Sequence, residues 1–346
     1  MKPTALLDSS EAAYLATELI ENRMKEQESG EVHGIQFSVP ELQDIIRPIY
    51  PGEIAFLLGH SRNGKSFVAK KVLYDETKKL FEQGKTDTVN VIVTWEEPAE
   101  VLAMSWLAVM SGISSTKMLK GLISRTELDD LKSNVIVKVG MYPIYIIGMS
   151  SKRNAQGKRE KVDLSLDTVE KCLDWIMNTQ MLEIKVIVYD YLQRIPQPAR
   201  TKRDIHILNC VDWVKNSGFW TNAAVLCCTQ ATKESLKANP PIPDLYDSEW
   251  SANAAQSGDF AFSVWMAKNN YPINARVERL AGYENFQISP TMQFLKVLKQ
   301  KGAADGQLLC MDLRPDFLQW RMHTAYYDTP LAKESGHRFN PNRPFM

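Results

Sequence analysis

The sequence has no uninterrupted apolar run near the 18 or so residues that a membrane-spanning helix needs. Its opening stretch, MKPTALLDSSEAAYLATELIEN, lacks the short apolar core of a secretion signal. Cysteine is sparse: Cys172, Cys210, Cys227, Cys228 and Cys310 are odd in number and form no CxxC pair. That excludes a disulfide framework or an obvious zinc site and points to buried, reduced thiols. Cys227 and Cys228 are adjacent in an apolar run, where a strand sends them to opposite faces. A cytoplasmic protein with no membrane association is expected. Net charge is also absent, with 41 Lys plus Arg against 41 Asp plus Glu. This excludes a uniformly basic nucleic-acid coat but not a local basic patch. No internal repeat is visible.

What is present is a soluble globular composition, with 44% hydrophobic and 24% charged residues over 346 positions. Residues 9–28 read as a helix that Ser9 or Ser10 can cap, with an apolar stripe of Ala12, Leu15, Ala16, Leu19 and Ile20. The first 31 residues hold seven acidic and three basic side chains, and Gly30 to Gly34 interrupt the pattern. Residues 1–33 are therefore expected to be an arm, since about 35 residues cannot close a core. A single domain is expected over 34–325. A loosely held tail is expected over 326–346, which is polar and broken by Pro330, Gly336, Pro341 and Pro344.

From Gly34 onward, apolar strand candidates (Ile54–Leu58, Val89–Thr94, Val135–Val139, Lys185–Tyr189, Ala224–Cys228) alternate with helical patterns (Ser66–Gln83, Ala99–Met110, Asp167–Asn178). Strands rich in Val and Ile on both faces predict a mostly parallel α/β sheet covered by helices on both sides. Phe260–Trp265, Gln293–Lys299 and Leu308–Leu313 lie closer together and predict an antiparallel edge extension.

Gly59-His60-Ser61-Arg62-Asn63-Gly64-Lys65-Ser66 fits GxxxxGK[ST], with the Ile54–Leu58 strand before it and a helix opening at Ser66-Phe67 after it. Glycines let the backbone turn its N–H groups toward phosphate oxygens, and the helix N-terminus favours negative charge. Residues Gly59 to Phe67 are thus the candidate binding loop for ATP. Lys65 is expected to reach the β- and γ-phosphates, and the Ser66 hydroxyl to ligate Mg²⁺. The Lys185–Tyr189 strand ends in Asp190, which supplies a carboxylate at the C-terminal edge of the sheet for the same magnesium. Val89–Thr94 ends in Trp95-Glu96-Glu97-Pro98. There one carboxylate acts as general base, or both are first-turn acids favoured by the helix dipole. Ala224–Cys228 ends in Thr229-Gln230, whose amide either senses the γ-phosphate or makes a strand-end hydrogen bond.

Taken together, these motifs resemble the RecA-like ATPase domain of DnaB-type replicative hexameric helicases, from about Gly34 to Trp320. The anchors are Gly34-Ile35-Gln36-Phe37, Leu42-Gln43-Asp44, Pro51-Gly52-Glu53-Ile54, the phosphate loop, Trp95 to Met104 (WEEPAEVLAM), Asp190-Tyr191-Leu192-Gln193 (DYLQ) and Thr229-Gln230. The resemblance implies a RecA-like P-loop NTPase that hydrolyses ATP with magnesium, forms a hexameric ring, and acts as a 5′–3′ DNA helicase in replication. It implies Glu96 as the catalytic glutamate and Gln230 as the γ-phosphate sensor. Lys299-Gln300-Lys301-Gly302 sits where the family has K-x-R, so Lys299 and Lys301 would reach a neighbouring subunit's nucleotide. Lys301 there replaces an arginine finger, and lysine is a point charge without arginine's planar fork. The resemblance gives no counterpart to the family's N-terminal primase-interacting domain. The 9–28 helix stands in the position of the family's linker helix, which packs on the adjacent subunit.

In such a ring the loops after Asp190 and Gln230 face the channel. Residues 185–237 hold eight Lys/Arg against four Asp/Glu, and Arg194, Arg200, Lys202, Arg203, Lys233 and Lys237 are the candidate contacts to single-stranded DNA. They predict salt-sensitive tracking of the backbone rather than base stacking. The basic stretch Lys152–Lys161 reads as an exposed insertion for DNA or a partner, or as a surface excursion. A loader or primase is a candidate partner. The alternatives to an unwinding motor are a recombinase- or regulator-like ATPase and an ATP-loaded ring platform with little turnover.

Overall fold

The computed structural model describes residues 7–153, 157–158, 162–249, 252–280 and 282–346. Most of the basic stretch at 152–161 lies outside the described residues. Eleven strands are described: β1 Ile54–Gly59, β2 Thr88–Thr94, β3 Ile144–Gly148, β4 Glu183–Asp190, β5 Ala224–Gln230, β6 Phe260–Met266, β7 Arg276–Leu280, β8 Tyr283–Gln287, β9 Met292–Gln300, β10 Leu308–Arg314 and β11 Gln319–Met322. Nine form one sheet in the order β11-β10-β9-β6-β1-β5-β4-β2-β3, and β7–β8 is a separate hairpin. The six strands from β6 to β3 are parallel, while β9, β10 and β11 extend the sheet antiparallel. The expected mostly parallel α/β sheet with an antiparallel edge is the observed one.

The central strands are apolar throughout because both faces are covered. In β1, Ala55 and Leu57 enter the core on one face with Leu226 and Cys228. Ile54, Phe56 and Leu58 enter the core on the other with Val225 and Cys227. The two adjacent cysteines thus point to opposite faces, and all five cysteines are free. Burial raises the Cys227 and Cys228 thiols well above their ordinary range.

Three sequence expectations are overturned. Val135–Val139 is not a strand: residues 131–140 are helical, and the neighbouring strand is Ile144–Gly148. Leu131 and Val135, four apart, are buried, whereas Ile136 and Val137 are exposed, which is a helical face rather than an alternating one. The final segment is not loosely held. Tyr326 is buried, Tyr327 donates to Glu41 Oε1 at 2.6 Å, Arg343 also bonds Glu41, and His337 meets Asp44 at 2.8 Å. Met346 exchanges both backbone hydrogen bonds with Trp320 and so pairs with the β11 edge. At the other end, the Ser9–Ser29 helix is capped by Asp8, not by Ser9 or Ser10, through a capping box with Glu11. Its Leu15, Leu19, Ile20 and Met24 are exposed. Among the described residues, no helix is long and apolar enough to cross a membrane.

Candidate active site

In a parallel sheet the C-terminal ends of adjacent strands form one edge, and the loops leaving them meet there. Here β1 ends at Gly59, which lies opposite Gln230 of β5, and Thr94 of β2 lies opposite Asp190 of β4. The chain order β1, β5, β4, β2 across the sheet therefore brings the phosphate loop, Gln230, Asp190 and Glu96 to one place. A cavity of about 480 Å³ opens there, lined among others by Arg62, Lys65, Ser66, Glu96, Tyr191 and Gln230. His60, Ser61, Gly64 and Phe67 also line it. A second cavity of about 450 Å³ lies at the opposite edge of the sheet, near Glu183 and Lys185. It holds none of the phosphate-loop residues.

The loop is held from below by the end of β6, the turn after it and β9. Asn63 Oδ1 accepts from Met266 N at 2.9 Å and from Asn269 Nδ2 at 2.7 Å, and Gln293 Nε2 donates to Asn63 O at 2.7 Å. Gly64 has φ +84°, and a Cβ there would stand 2.4 Å from Gln293 Nε2. The conformation therefore favours glycine, and any side chain there would push the Gln293 amide off the loop. Lys65 Nζ donates to Gly59 O at 2.7 Å and His60 O at 3.1 Å. Burial pulls its ammonium below the ordinary lysine range, an effect opposed by nearby Cys228, Asp190, Glu96 and Glu249. His60 Nε2 lies 2.9 Å from Ser235 Oγ in the turn after β5. Burial, then Lys65, keeps this imidazole below its usual range.

Asp190 is 3% exposed, and its Oδ1 has no hydrogen-bond partner. Burial pushes its carboxyl up to about 6; the facing Ser66 hydroxyl works against this, and Glu96 adds to it. An orphaned buried carboxylate oxygen beside a serine hydroxyl fits an absent divalent cation, because oxygen donors suit Mg²⁺. The two neighbouring glutamates differ. Both line the cavity, but Glu97 pairs with Lys70 at 2.9 Å, whereas Glu96 is exposed.

Lys299 Nζ donates to Gln256 O at 2.7 Å and Gly258 O at 2.6 Å of its own chain. Lys301 is 71% exposed and 3.6 Å from Asp259, at the sheet edge opposite the cavity. Arg194, Arg200, Lys202, Lys233 and Lys237 are exposed, on the two loops that leave the cavity edge. Arg203 is half-buried and bonded to Gln193 O. Four residues to which motif reading assigns no role complete the surroundings. Gln293 braces the loop, Ser235 holds His60, and Glu249 contributes negative potential at Lys65. The fourth, Gln193, lies within the DYLQ motif and bonds Thr229 and Gln230. Only Gln193 sits inside a recognisable pattern; the others are joined to the site by long-range folding alone.

The sheet order and the phosphate loop define a RecA-type P-loop nucleotide-binding protein. A family model, the DnaB-like helicase C terminal domain, matches residues 34–279, which is most of the chain. The chain belongs to that family, and it is of the replicative-helicase ATPase type. The match ends within β7, before Lys299 and Lys301. The fold is similar to that of a DnaB-like replicative helicase studied with its interactions with primase. The identity is 14% and the TM-score 0.67, over 88% of this chain and 66% of that one. It is equally similar to the ATPase domain of G40P, with 14% identity and a TM-score of 0.67, over 92% of this chain and all of that one. The chain thus spans about two thirds of the length of the first of these. No curated protein matches it.

Proposed function

We propose that this chain is an ATP-hydrolysing subunit of a hexameric ring that moves along single-stranded DNA and unwinds duplex. The observation that carries the reading is the meeting of the phosphate loop, Glu96 and Gln230 in one cavity at the C-terminal sheet edge, with buried Asp190 facing Ser66 beneath it. The residues fit ATP with magnesium held by Ser66 and Asp190. When bound, the metal neutralises phosphate charge and orients the γ-phosphoryl.

The chain's own residues then have distinct tasks. Backbone N–H groups from Gly59 to Phe67 bind phosphate oxygens. Lys65 exchanges the carbonyls of Gly59 and His60 for phosphate, so it is already aimed into the loop. Glu96 is exposed toward the cavity and takes the proton of the attacking water. Glu97 lines the same cavity but is paired with Lys70, which leaves Glu96 the freer carboxylate. Gln230 reports the γ-phosphate to the loop that follows it, and Lys301 supplies a cation to the next subunit's site. Arg194, Arg200, Lys202, Arg203, Lys233 and Lys237 track the DNA backbone.

The apolar residues Leu15, Leu19, Ile20 and Met24 of the Ser9–Ser29 helix are exposed among the described residues, as docking on an adjacent subunit requires. Closed rings need opening to admit DNA, so a loader or primase partner belongs to the proposal. A second reading is a regulator-like ATPase that assembles without unwinding, favoured by lysine rather than arginine at 301. The test is ATP turnover with and without single-stranded DNA, paired with forked-duplex unwinding. DNA-stimulated turnover that Lys65→Ala abolishes is expected, together with strand release. Turnover without strand release selects the second reading. No DNA-stimulated turnover, or an unaffected Lys65→Ala, refutes both.

A further inference from the structure

We infer that Gln193 is a positioning residue that makes the γ-phosphate sensor and the two candidate DNA loops move as one unit. The inference rests on the function proposed above and concerns a side chain to which that reading assigns no task. The pairing of β4 with β5 runs only as far as Tyr189 opposite Cys227. Beyond it the last residues of β5, Thr229 and Gln230, have no strand neighbour on that side.

The Gln193 side chain fills the gap. It is 7% exposed, on the single turn Leu192–Arg194 that follows β4. Its Oε1 accepts from Gln230 N at 3.0 Å, and its Nε2 donates to Thr229 Oγ1 at 2.7 Å and to Glu249 O at 3.3 Å. Its own backbone oxygen accepts from the Arg203 guanidinium. One residue thus ties together the start of the first loop, its far end at Arg203, the sensor strand and the return of the second loop.

That return is fixed to the same strand. Glu249 N donates to Gln230 O at 2.8 Å and Thr232 N to Asp247 O at 2.7 Å. Loops 194–203 and 232–247, which carry Arg194, Arg200, Lys202, Lys233 and Lys237, therefore share one buried amide at their roots. A displacement of Gln230 toward or away from a γ-phosphate either carries Gln193 with it or leaves a buried amide unpaired. Since unpaired buried amides are costly, the joint movement is favoured. Neither near relative reproduces the clasp: asparagine is one methylene short, and glutamate has no donor for the Glu249 carbonyl.

The test uses the full chain, ATP with magnesium, and oligo(dT) as the DNA probe. Gln193→Ala is expected to leave the KM for ATP and the basal kcat within about threefold. Stimulation by oligo(dT) should fall at least tenfold. If Gln193 acts through the sensor, adding Gln193→Ala to Gln230→Ala costs less than a further twofold. Equal loss of basal and stimulated rates, or multiplicative effects in the double variant, overturns the inference. Should Gln193→Ala fail to fold, Thr229→Val removes one bond and keeps the amide; partial loss of stimulation supports the inference, and unchanged stimulation overturns it. A wild-type chain without DNA-stimulated turnover refutes the proposed function instead. The inference is then decided by amide hydrogen exchange on binding a non-hydrolysable ATP analogue. Protection that extends from 229–249 into 194–203 in the wild type, and is lost from 194–203 in Gln193→Ala, supports it. The same pattern in both overturns it.

Discussion

Replacing Asp190 by asparagine is expected to stabilise the ligand-free chain while removing its catalysis. The carboxylate sits 3% exposed with one oxygen unpartnered, and burial moves its pKa from the ordinary 3.8 to about 6. The folded chain therefore holds this proton more tightly than the unfolded chain does. Its contribution to stability is greatest at low pH and is lost as pH rises from about 4 to about 6. Above that window the charged carboxylate costs the folded state about 3 kcal/mol. Asparagine keeps the shape and removes the charge, so at pH 8, in chelator and without nucleotide, it should raise the melting temperature on the order of 5 °C. The advantage should fall to about half at pH 5, midway through that window, because the unfolded carboxyl is still ionised there, and approach zero only below about pH 4. Added magnesium and ATP should reverse the order, because a ligand stabilises only the chain that binds it. Thermal melts of both chains at pH 5, 6, 7 and 8 make the comparison. A variant that is no more stable at pH 8, or that gains equally at every pH, would refute the claim that Asp190 is held charged against its surroundings for a cation's sake.

Three further outcomes are expected. Gly64→Ala forces a side chain into the 2.4 Å gap before Gln293 at φ +84°. It should cost about 2 kcal/mol of stability and weaken titrated fluorescent nucleotide at least a hundredfold; unchanged binding would show that the cradle is loose. Lys299→Ala should lower the melting temperature by leaving the carbonyls of Gln256 and Gly258 unpaired, a loss of about 1 kcal/mol. Lys301→Ala should leave it unchanged and cut assembled-ring turnover at least tenfold, and the reverse pattern would make Lys299 the acting cation. Lys233→Ala and Lys237→Ala should each flatten the salt dependence of oligo(dT) binding by a slope of about 0.7, read by anisotropy at several salt concentrations. Unaltered slopes would remove the second loop from the DNA path.

The turn between β1 and the helix after it, and the strand ends at Asp190 and Gln230, were legible because a phosphate-loop pattern constrains neighbouring positions. A glycine turn, a lysine and a hydroxyl must follow one another between strand and helix. The central strands were legible because Val and Ile filled both faces. Val135–Val139 carries the same residue types and yet is helical, since what decides is which of them find a core. Leu131 and Val135 do so at helical spacing, while Ile136 and Val137 face solvent. The C-terminal segment was misread for a related reason. Its polar and proline-rich sequence is held by Glu41 and Asp44, nearly 300 residues earlier. No local pattern announces a partner at that separation. Gln293 was invisible for the same cause, although the glycine it faces was obvious.

β9 gives the clearest reason for an assembly. Its Gln293 bonds the phosphate loop of its own chain, and the strand then runs antiparallel to β6 toward the opposite sheet edge. From Gln293 to Lys301 it covers about 27 Å at roughly 3.4 Å per residue. A lysine side chain spans only about 6 Å. Lys301 therefore cannot touch a phosphate held by its own loop. Its ammonium lies 3.6 Å from Asp259 of the same chain, and the side chain remains 71% exposed. If this cation serves a nucleotide at all, it serves one bound by another copy. Each copy would then lend a residue to the next, a head-to-tail contact that generates a ring when the rotation closes and a filament when it does not. Particle images of the Lys301→Ala chain with a non-hydrolysable ATP analogue separate assembly from catalysis. Intact rings without turnover place Lys301 at the neighbour's phosphate, whereas full turnover by such rings removes it from the chemistry.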